Sequence, residues 1–188
     1  MRVTTTICCL CAALSAGSLT AADDAYREPA LKAIAAFAGA LKAELTSAMQ
    51  AGGPVNAVEV CNTRAPAIAE AVSLDTGMQL SRVSLRNRNP GNAPTAWQAR
   101  VLEDFEARLA AGESVDALTW EQTIDHAGQR EFRFMKAIPT AGLCVACHGE
   151  TLAPPLAEKI AELYPADKAT GFREGDIRGA FVVTRTID

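Results

Sequence analysis

The sequence has 188 residues, 49% of them hydrophobic and 21% charged, and its formal net charge is −4 at pH 7. This charge argues against a nucleic-acid partner and against strong attraction to an anionic membrane surface. The length fits one domain of ordinary size.

The first 22 residues have the order of a secretory signal peptide. The basic residue Arg2 precedes an apolar run from Ile7 to Leu14, and small residues follow up to Ala22. Such a run is too short to span a bilayer as a mature helix. We therefore predict that residues 1–22 are removed on export to the periplasm, and that residues 23–188 form a single mature domain without an integral membrane segment.

Cleavage would leave an odd number of cysteines. Three of the six cysteines lie in the signal segment, too early in its apolar run for lipidation to be favoured there. The other three, Cys61, Cys144 and Cys147, are too few for a disulfide scaffold. An odd thiol in an exported protein needs a specific chemical explanation.

Helical periodicity dominates the first part of the mature chain. Apolar residues recur at helical spacing over residues 23–49, and Gly52-Gly53 is expected to end this helix. A second helical piece follows and carries Cys61 on its apolar side. Pro66 is expected to start a third helix that ends near Gly77.

Shorter elements follow in the middle of the chain. Leu80–Leu85 is compatible with a strand, and residues 86–92 form a polar loop that is rich in turn residues. Thr95 is a predicted N-cap for a helix whose apolar residues repeat every four positions until Gly112.

The C-terminal half contains most of the predicted strands. Trp120–Ile124 and Glu131–Ile138 alternate and are expected to pair as a hairpin. Pro155–Leu163 is a predicted short helix, and Ala180–Ile187 is the last strand. Helices first and antiparallel strands later indicate an α+β fold.

A C-x-x-C-H motif, Cys144 to His148, carries the clearest chemical signal. Two thiols three residues apart fall on one side of a helical turn, where they can form thioethers with the two vinyl groups of a haem. The adjacent His148 imidazole would then be the proximal iron ligand. The motif predicts one covalently bound c-type haem, held by Cys144, Cys147 and His148. Export agrees with it, because bacteria attach this haem outside the cytoplasm.

The same residues are also compatible with two other kinds of site. Cys144 and Cys147 would also suit a redox dithiol, although no thioredoxin-like βαβ pattern surrounds them. A Cys3His structural zinc site would use Cys61 as well, but it requires the neighbours Cys147 and His148 to bind one ion from a strained position.

The second axial ligand of the iron has five candidates in the mature chain: Cys61, His126, Met49, Met78 and Met135. His126 lies in a predicted exposed hairpin, and buried methionines usually serve packing. Cys61 is the thiol left over by haem attachment. The residues therefore favour Cys61, with a buried inert cysteine as the alternative.

Several other side chains are candidates for contact with a haem. Arg86, Arg88 and Arg178 would pair with its propionates, which need cationic or amide partners when partly buried. They would serve equally well as solvated loop charges. Tyr164 and Trp97 would contact the macrocycle or fill ordinary packing positions.

Five short stretches of the mature chain form an ordered set of motifs. They are Val58–Ala69, Arg88–Pro94, Cys144–Gly149, Tyr164–Phe172 and Glu174–Ala180. In this order they resemble the motifs of the Tll0287-like haem domain family, and the likeness extends from about Glu28 to Ile187.

The resemblance implies a PAS-like domain, in which helices pack on an antiparallel sheet and one c-type haem is bound. It also implies that Cys61 is the axial ligand opposite His148. Family members often precede membrane and signalling modules such as histidine kinases. Because this sequence ends at Asp188, we expect any signal to pass to a separate protein.

Ligation by a thiolate and an imidazole limits the function. A thiolate stabilises ferric over ferrous iron, so the reduction potential would be low and no position would be open to a substrate. We therefore expect no enzyme activity. A sensor of redox state or of a small gaseous ligand and a periplasmic electron-transfer cytochrome remain. Either would act with a redox partner or a separate signalling protein that the sequence does not identify.

Overall fold

The computed structural model describes residues 21–126 and 128–187. The predicted signal peptide therefore lies outside the described residues, apart from the backbone of Ala21 and Ala22. No helix within the described part of the chain is long and apolar enough to cross a membrane.

The first helix, α1 (Ala21–Thr76), is interrupted at Gly52 and Gly53. Gly53 has a φ of 71°, a left-handed conformation that glycine adopts without steric cost. The predicted break at this pair is confirmed. The predicted start of a third helix at Pro66 is wrong, because α1 continues through it. The local cost of the proline is offset by burial of the helix beside it, where Ala65 is only 1% exposed.

The remaining elements follow the predicted order. They are β1 (Gln79–Val83), α2 (Ala96–Ala110), β2 (Thr119–His126), β3 (Gln129–Pro139), α3 (Val145–His148), α4 (Pro154–Leu163) and β4 (Ile177–Ile187). Thr95 caps α2 as predicted, and its backbone N–H donates to Gln98 Oε1 at 2.8 Å. The last strand begins three residues earlier than predicted, at Ile177 rather than Ala180.

The four strands form one antiparallel sheet in the order β1-β4-β3-β2. One face packs on the first part of α1 through Phe37, Phe132 and Phe134. The other face packs on α2 through Phe105 and Met135. These three layers confirm the predicted α+β class and the antiparallel sheet.

A smaller apolar cluster places the C-x-x-C-H motif. Leu156 and Ile160 of α4 pack on Val58, which lies one turn before Cys61 in α1. Cys147 is partly buried against the same cluster. The packing of α4 on the second part of α1 therefore brings the motif close to the helix that carries Cys61.

A close approach of β1 and β4 depends on Gly179. A Cβ atom at this position would lie 2.3 Å from the Val83 carbonyl oxygen. We expect Gly179→Ala to lower the free energy of unfolding by about 1–3 kcal/mol, because backbone must move to admit the methyl group. Gly39→Ala is the control, since a Cβ atom there would have no described atom within 4 Å other than its chain neighbours and the nearby backbone of its own helix. It should raise stability by about 0.5–1 kcal/mol in a helix. Urea unfolding measures both, and equal effects would contradict the assignment.

Candidate functional site

A cavity of about 230 Å³ lies between α1, the ends of β1 and β3, the start of β4, and α3. A second cavity of about 350 Å³ adjoins it and shares many lining residues. The shared residues that can carry chemistry are Cys61, Arg82, Arg88, Cys147, His148 and Arg178. Apolar side chains of α1, among them Leu41, Leu45 and Met49, line the first cavity.

The C-x-x-C-H motif forms a single helical turn at the edge of the first cavity. The backbone N–H of His148 donates to the Cys144 carbonyl at 2.9 Å, and the backbone N–H of Gly149 donates to the Val145 carbonyl at 2.8 Å. Cys144 and Cys147 are free thiols, and both line the first cavity together with His148. The local turn thus presents the two thiols and the imidazole to the same space, as their spacing predicts.

The His148 imidazole is held in one tautomer. Nδ1 lies 2.8 Å from the carbonyl oxygen of Ala169, and a carbonyl only accepts, so Nδ1 carries the proton. Burial, with added repulsion from Arg178 and Arg88, lowers the pKa of His148 to about 3. The ring is therefore neutral at physiological pH, and its Nε2 lone pair is available to a metal.

Cys61 reaches the site from α1, 83 residues before Cys144 in the chain. Its side chain lines both cavities. Burial raises the pKa of the Cys61 thiol, and the charges of Arg82, Arg88 and Arg178 partly oppose this effect. The protein alone thus favours the thiol at neutral pH, and a bound metal would be needed to hold the thiolate.

Arg88 is 6% exposed, and its Nε and Nη2 atoms have hydrogen-bond partners. It forms an ion pair with Asp167, with both N···O distances at 3.1 Å. Its Nη2 also donates to the carbonyls of Cys147 at 2.7 Å and Ala169 at 3.2 Å. Arg88 therefore ties the motif turn to the loop that orients His148.

Arg178 and Arg82 are less completely paired. Arg178 Nη1 donates to Ser84 Oγ at 3.2 Å and to the Arg86 carbonyl at 3.3 Å, whereas its Nε is buried without a partner in the described structure. The Arg82 guanidinium lies 5.1 Å from the centre of the Phe37 ring. Arg82 was missed from the sequence, although strand alternation places it on the same sheet face as buried Leu80, an unusual position for a charge.

Arg86 is not brought together with the other predicted site residues. Its guanidinium lies 4.0 Å from the centre of the Phe172 ring and donates to the Thr170 carbonyl. It lines a separate cavity of about 210 Å³ with Glu106 and Asp176. Of the three predicted propionate partners, Arg88 and Arg178 lie at the site and Arg86 lies outside it.

Of the two aromatic residues predicted to contact a haem, Tyr164 lies at the site and Trp97 does not. Tyr164 is 5% exposed and lines the second cavity. Trp97 instead packs on Trp120, with ring centres 5.5 Å apart, and the Arg133 guanidinium lies over it at 4.7 Å. Trp97 therefore belongs to the α2 side of the sheet.

The structure reduces the candidates for the second axial ligand. Met78 and Met135 are fully buried in the two main core clusters. His126 pairs with Gln129 at the hairpin end of β3, nine residues before Ile138 at the cavity, which is roughly 30 Å along a strand. Besides Cys61, Met49 is the candidate whose side chain lines the cavity.

The four donors of the alternative zinc site line one cavity, but they are not close enough together to bind a single ion. Within residues 21–126 and 128–187, no three His, Cys, Asp or Glu side chains are close enough together to hold a metal ion. A haem suits this spacing, because a macrocycle separates its two axial ligands from its two thioether positions. The neutral imidazole, the free thiols and the unpartnered Arg178 Nε all fit such a group.

Comparison with known proteins agrees with this geometry. The model of the Tll0287-like family (Tll0287) matches residues 14–185. The crystal structure of the cyanobacterial haem protein Tll0287 is similar, with 30% sequence identity and a TM-score of 0.53. The alignment covers 66% of this chain and 71% of that chain. No curated protein matches the chain.

Proposed function

The chain belongs to the Tll0287-like family, and from this membership we propose that it is an exported c-type haem protein acting as a sensor of redox state or of a small gas. It binds haem, as its family and structural neighbour indicate. In our proposal one haem is attached covalently to Cys144 and Cys147. His148 and Cys61 are the two axial ligands of its iron.

The observation that carries the proposal is the convergence of four residues on one cavity. Cys144, Cys147 and His148 come from a single turn, and Cys61 comes from a distant helix. The Ala169 carbonyl leaves the Nε2 atom of His148 free to bind iron. A bound haem would supply one-electron chemistry at its iron, and the residues of the chain would set its potential and its access.

The ligand pair supports a sensor rather than a turnover enzyme. With Cys61 and His148 both bound, the iron has no open position for a substrate. A second sulfur donor, Met49, lines the same cavity from the other side of the Gly52–Gly53 interruption. Two donors on two helical segments allow the ligand set to change with the oxidation state, which a sensor needs.

An electron-transfer cytochrome is the second candidate. Leu143 is 56% exposed and also lines the first cavity, directly before Cys144. An exposed apolar edge beside the attachment turn would suit brief docking of a redox partner. An electron carrier keeps both axial ligands on reduction, so spectra of the two oxidation states separate the two functions.

The covalent attachment is tested by mass. We expect chain made with its N-terminal segment, in a host that has cytochrome c maturation, to carry the mass of one haem on the peptide that contains Cys144–His148. A pyridine haemochrome spectrum should give one haem per chain, and N-terminal sequencing should begin near Asp23. The double variant Cys144→Ala, Cys147→Ala is the control and should carry none. An unmodified wild-type peptide, or Met1 retained on haem-loaded protein, would contradict the proposal.

A further inference from the structure

The three arginines at the cavity are not equivalent in their pairing. Arg88 has a carboxylate partner and two carbonyl acceptors. Arg178 keeps a buried Nε that has no partner within residues 21–126 and 128–187. Arg82 contacts the Phe37 ring, and no hydrogen bond from its guanidinium to a described residue is present. Arg82 and Arg178 therefore have free donors and no carboxylate partner among the described residues, whereas Nε and Nη2 of Arg88 are bound to Asp167 and to two backbone carbonyls.

The charge balance shows the same division. Three guanidinium groups line both cavities, and the carboxylate that pairs with one of them, Asp167, is 11% exposed and bound to Arg88. Two positive charges in a largely apolar space have no carboxylate partner in the described part of the chain, which is costly unless a ligand supplies the opposite charge. A haem has two propionates. The Cys61 thiolate does not change this count, because it neutralises the single net positive charge of a ferric macrocycle.

We propose, on the basis of the function proposed above, that Arg82 and Arg178 bind the two haem propionates, and that Arg88 is a positioning residue for the attachment turn. A guanidinium can bind a carboxylate through two parallel N–H donors. Arg82 lies on β1 and Arg178 at the start of β4, two strands paired in the sheet. The propionates would thus be held by rigid elements, while Arg88 fixes Cys147 and Ala169.

Glutamine variants of the haem-loaded protein test the assignment. Arg82→Gln and Arg178→Gln each remove a positive charge near the iron, so the ferric form is favoured. We expect about a tenfold shift of the ferric-to-ferrous equilibrium in each, a fall of about 59 mV for one electron. Resonance Raman bands of the propionates should shift in the same variants. Arg185→Gln, on the exposed end of β4, is the control and should change neither reading.

Lysine variants separate charge from hydrogen bonding. Arg82→Lys and Arg178→Lys keep the charge but lose the two-donor geometry, so the potential should stay near that of wild type while the propionate bands still shift. If the glutamine variants do not fold, the lysine variants decide. The assignment would be overturned if the propionate bands were unchanged in both Arg82→Lys and Arg178→Lys. It would also be overturned if the bands shifted only in Arg88→Lys or Arg86→Gln. Failure of the proposed function is a different result, since wild-type chain would then carry no haem.

Discussion

With the axial ligation proposed above, replacing Cys61 with serine is expected to abolish a low-spin thiolate spectrum of the ferric protein and to raise its reduction potential. A thiolate stabilises the ferric state, and a hydroxyl is a much weaker donor. We expect the ferric-to-ferrous equilibrium to move by more than tenfold, a rise above about 59 mV. Optical and electron paramagnetic resonance spectra with a redox titration measure both changes.

The controls for Cys61→Ser follow from the positions of the other donors. Met135→Ala and His126→Ala should leave the ferric spectrum unchanged, because Met135 is buried in the core beside α2 and His126 ends β2 at the hairpin. Met49→Leu is the stricter comparison, since Met49 lines the cavity. A silent Cys61→Ser together with altered ligation in Met49→Leu or His126→Ala would make the Cys61 assignment wrong.

A double variant examines the ligand change that a sensor requires. Cys61→Ser with Met49→Leu removes both sulfur donors that line the first cavity apart from the attachment thiols. This protein should contain high-spin ferric iron and should bind carbon monoxide readily once reduced. If Met49 takes over as a ligand, Cys61→Ser alone should bind the gas more weakly than the double variant. Equal binding would leave Met49 with a packing role.

Replacing Arg88 with alanine is expected to cost about 3–5 kcal/mol of the free energy of unfolding, the range for breaking a buried ion pair from one side. The change leaves Asp167 as a buried carboxylate without its partner, and it also removes the donor to the Cys147 and Ala169 carbonyls. Urea or thermal unfolding of the haem-loaded protein measures the loss.

The exposed pair of Arg173 and Glu150 is the matched control for Arg88. Its N···O distance is 2.8 Å, but the side chains are 76% and 60% exposed. Arg173→Ala should therefore cost no more than about 1 kcal/mol. A similar small loss for Arg88→Ala would mean that the loop around Asp167 rearranges freely and does not fix the site. The yield of haem-loaded protein should also fall in Arg88→Ala alone.

Local chemistry made much of this protein predictable from its sequence. The C-x-x-C-H motif is contained in one turn, so its spacing alone brings Cys144, Cys147 and His148 to one side. The hairpin of β2 and β3 and the interruption of α1 at Gly52–Gly53 are likewise set by neighbouring residues. Strand alternation and helical periodicity indicate which face is buried, and together they predicted the α+β class.

Only the tertiary structure determined which residues far apart in the sequence lie close together. Periodicity placed Cys61 and Met49 on apolar helix faces, but the packing of α1 on the sheet and α4 decided that both face the cavity. The tertiary structure also places Arg82 at the site and Arg86 outside it. In addition, α1 continues through Pro66 instead of ending before it. A sequence pattern records which face of an element is buried, whereas the partner of a charge or a sulfur atom is set by elements that fold against it from elsewhere in the chain.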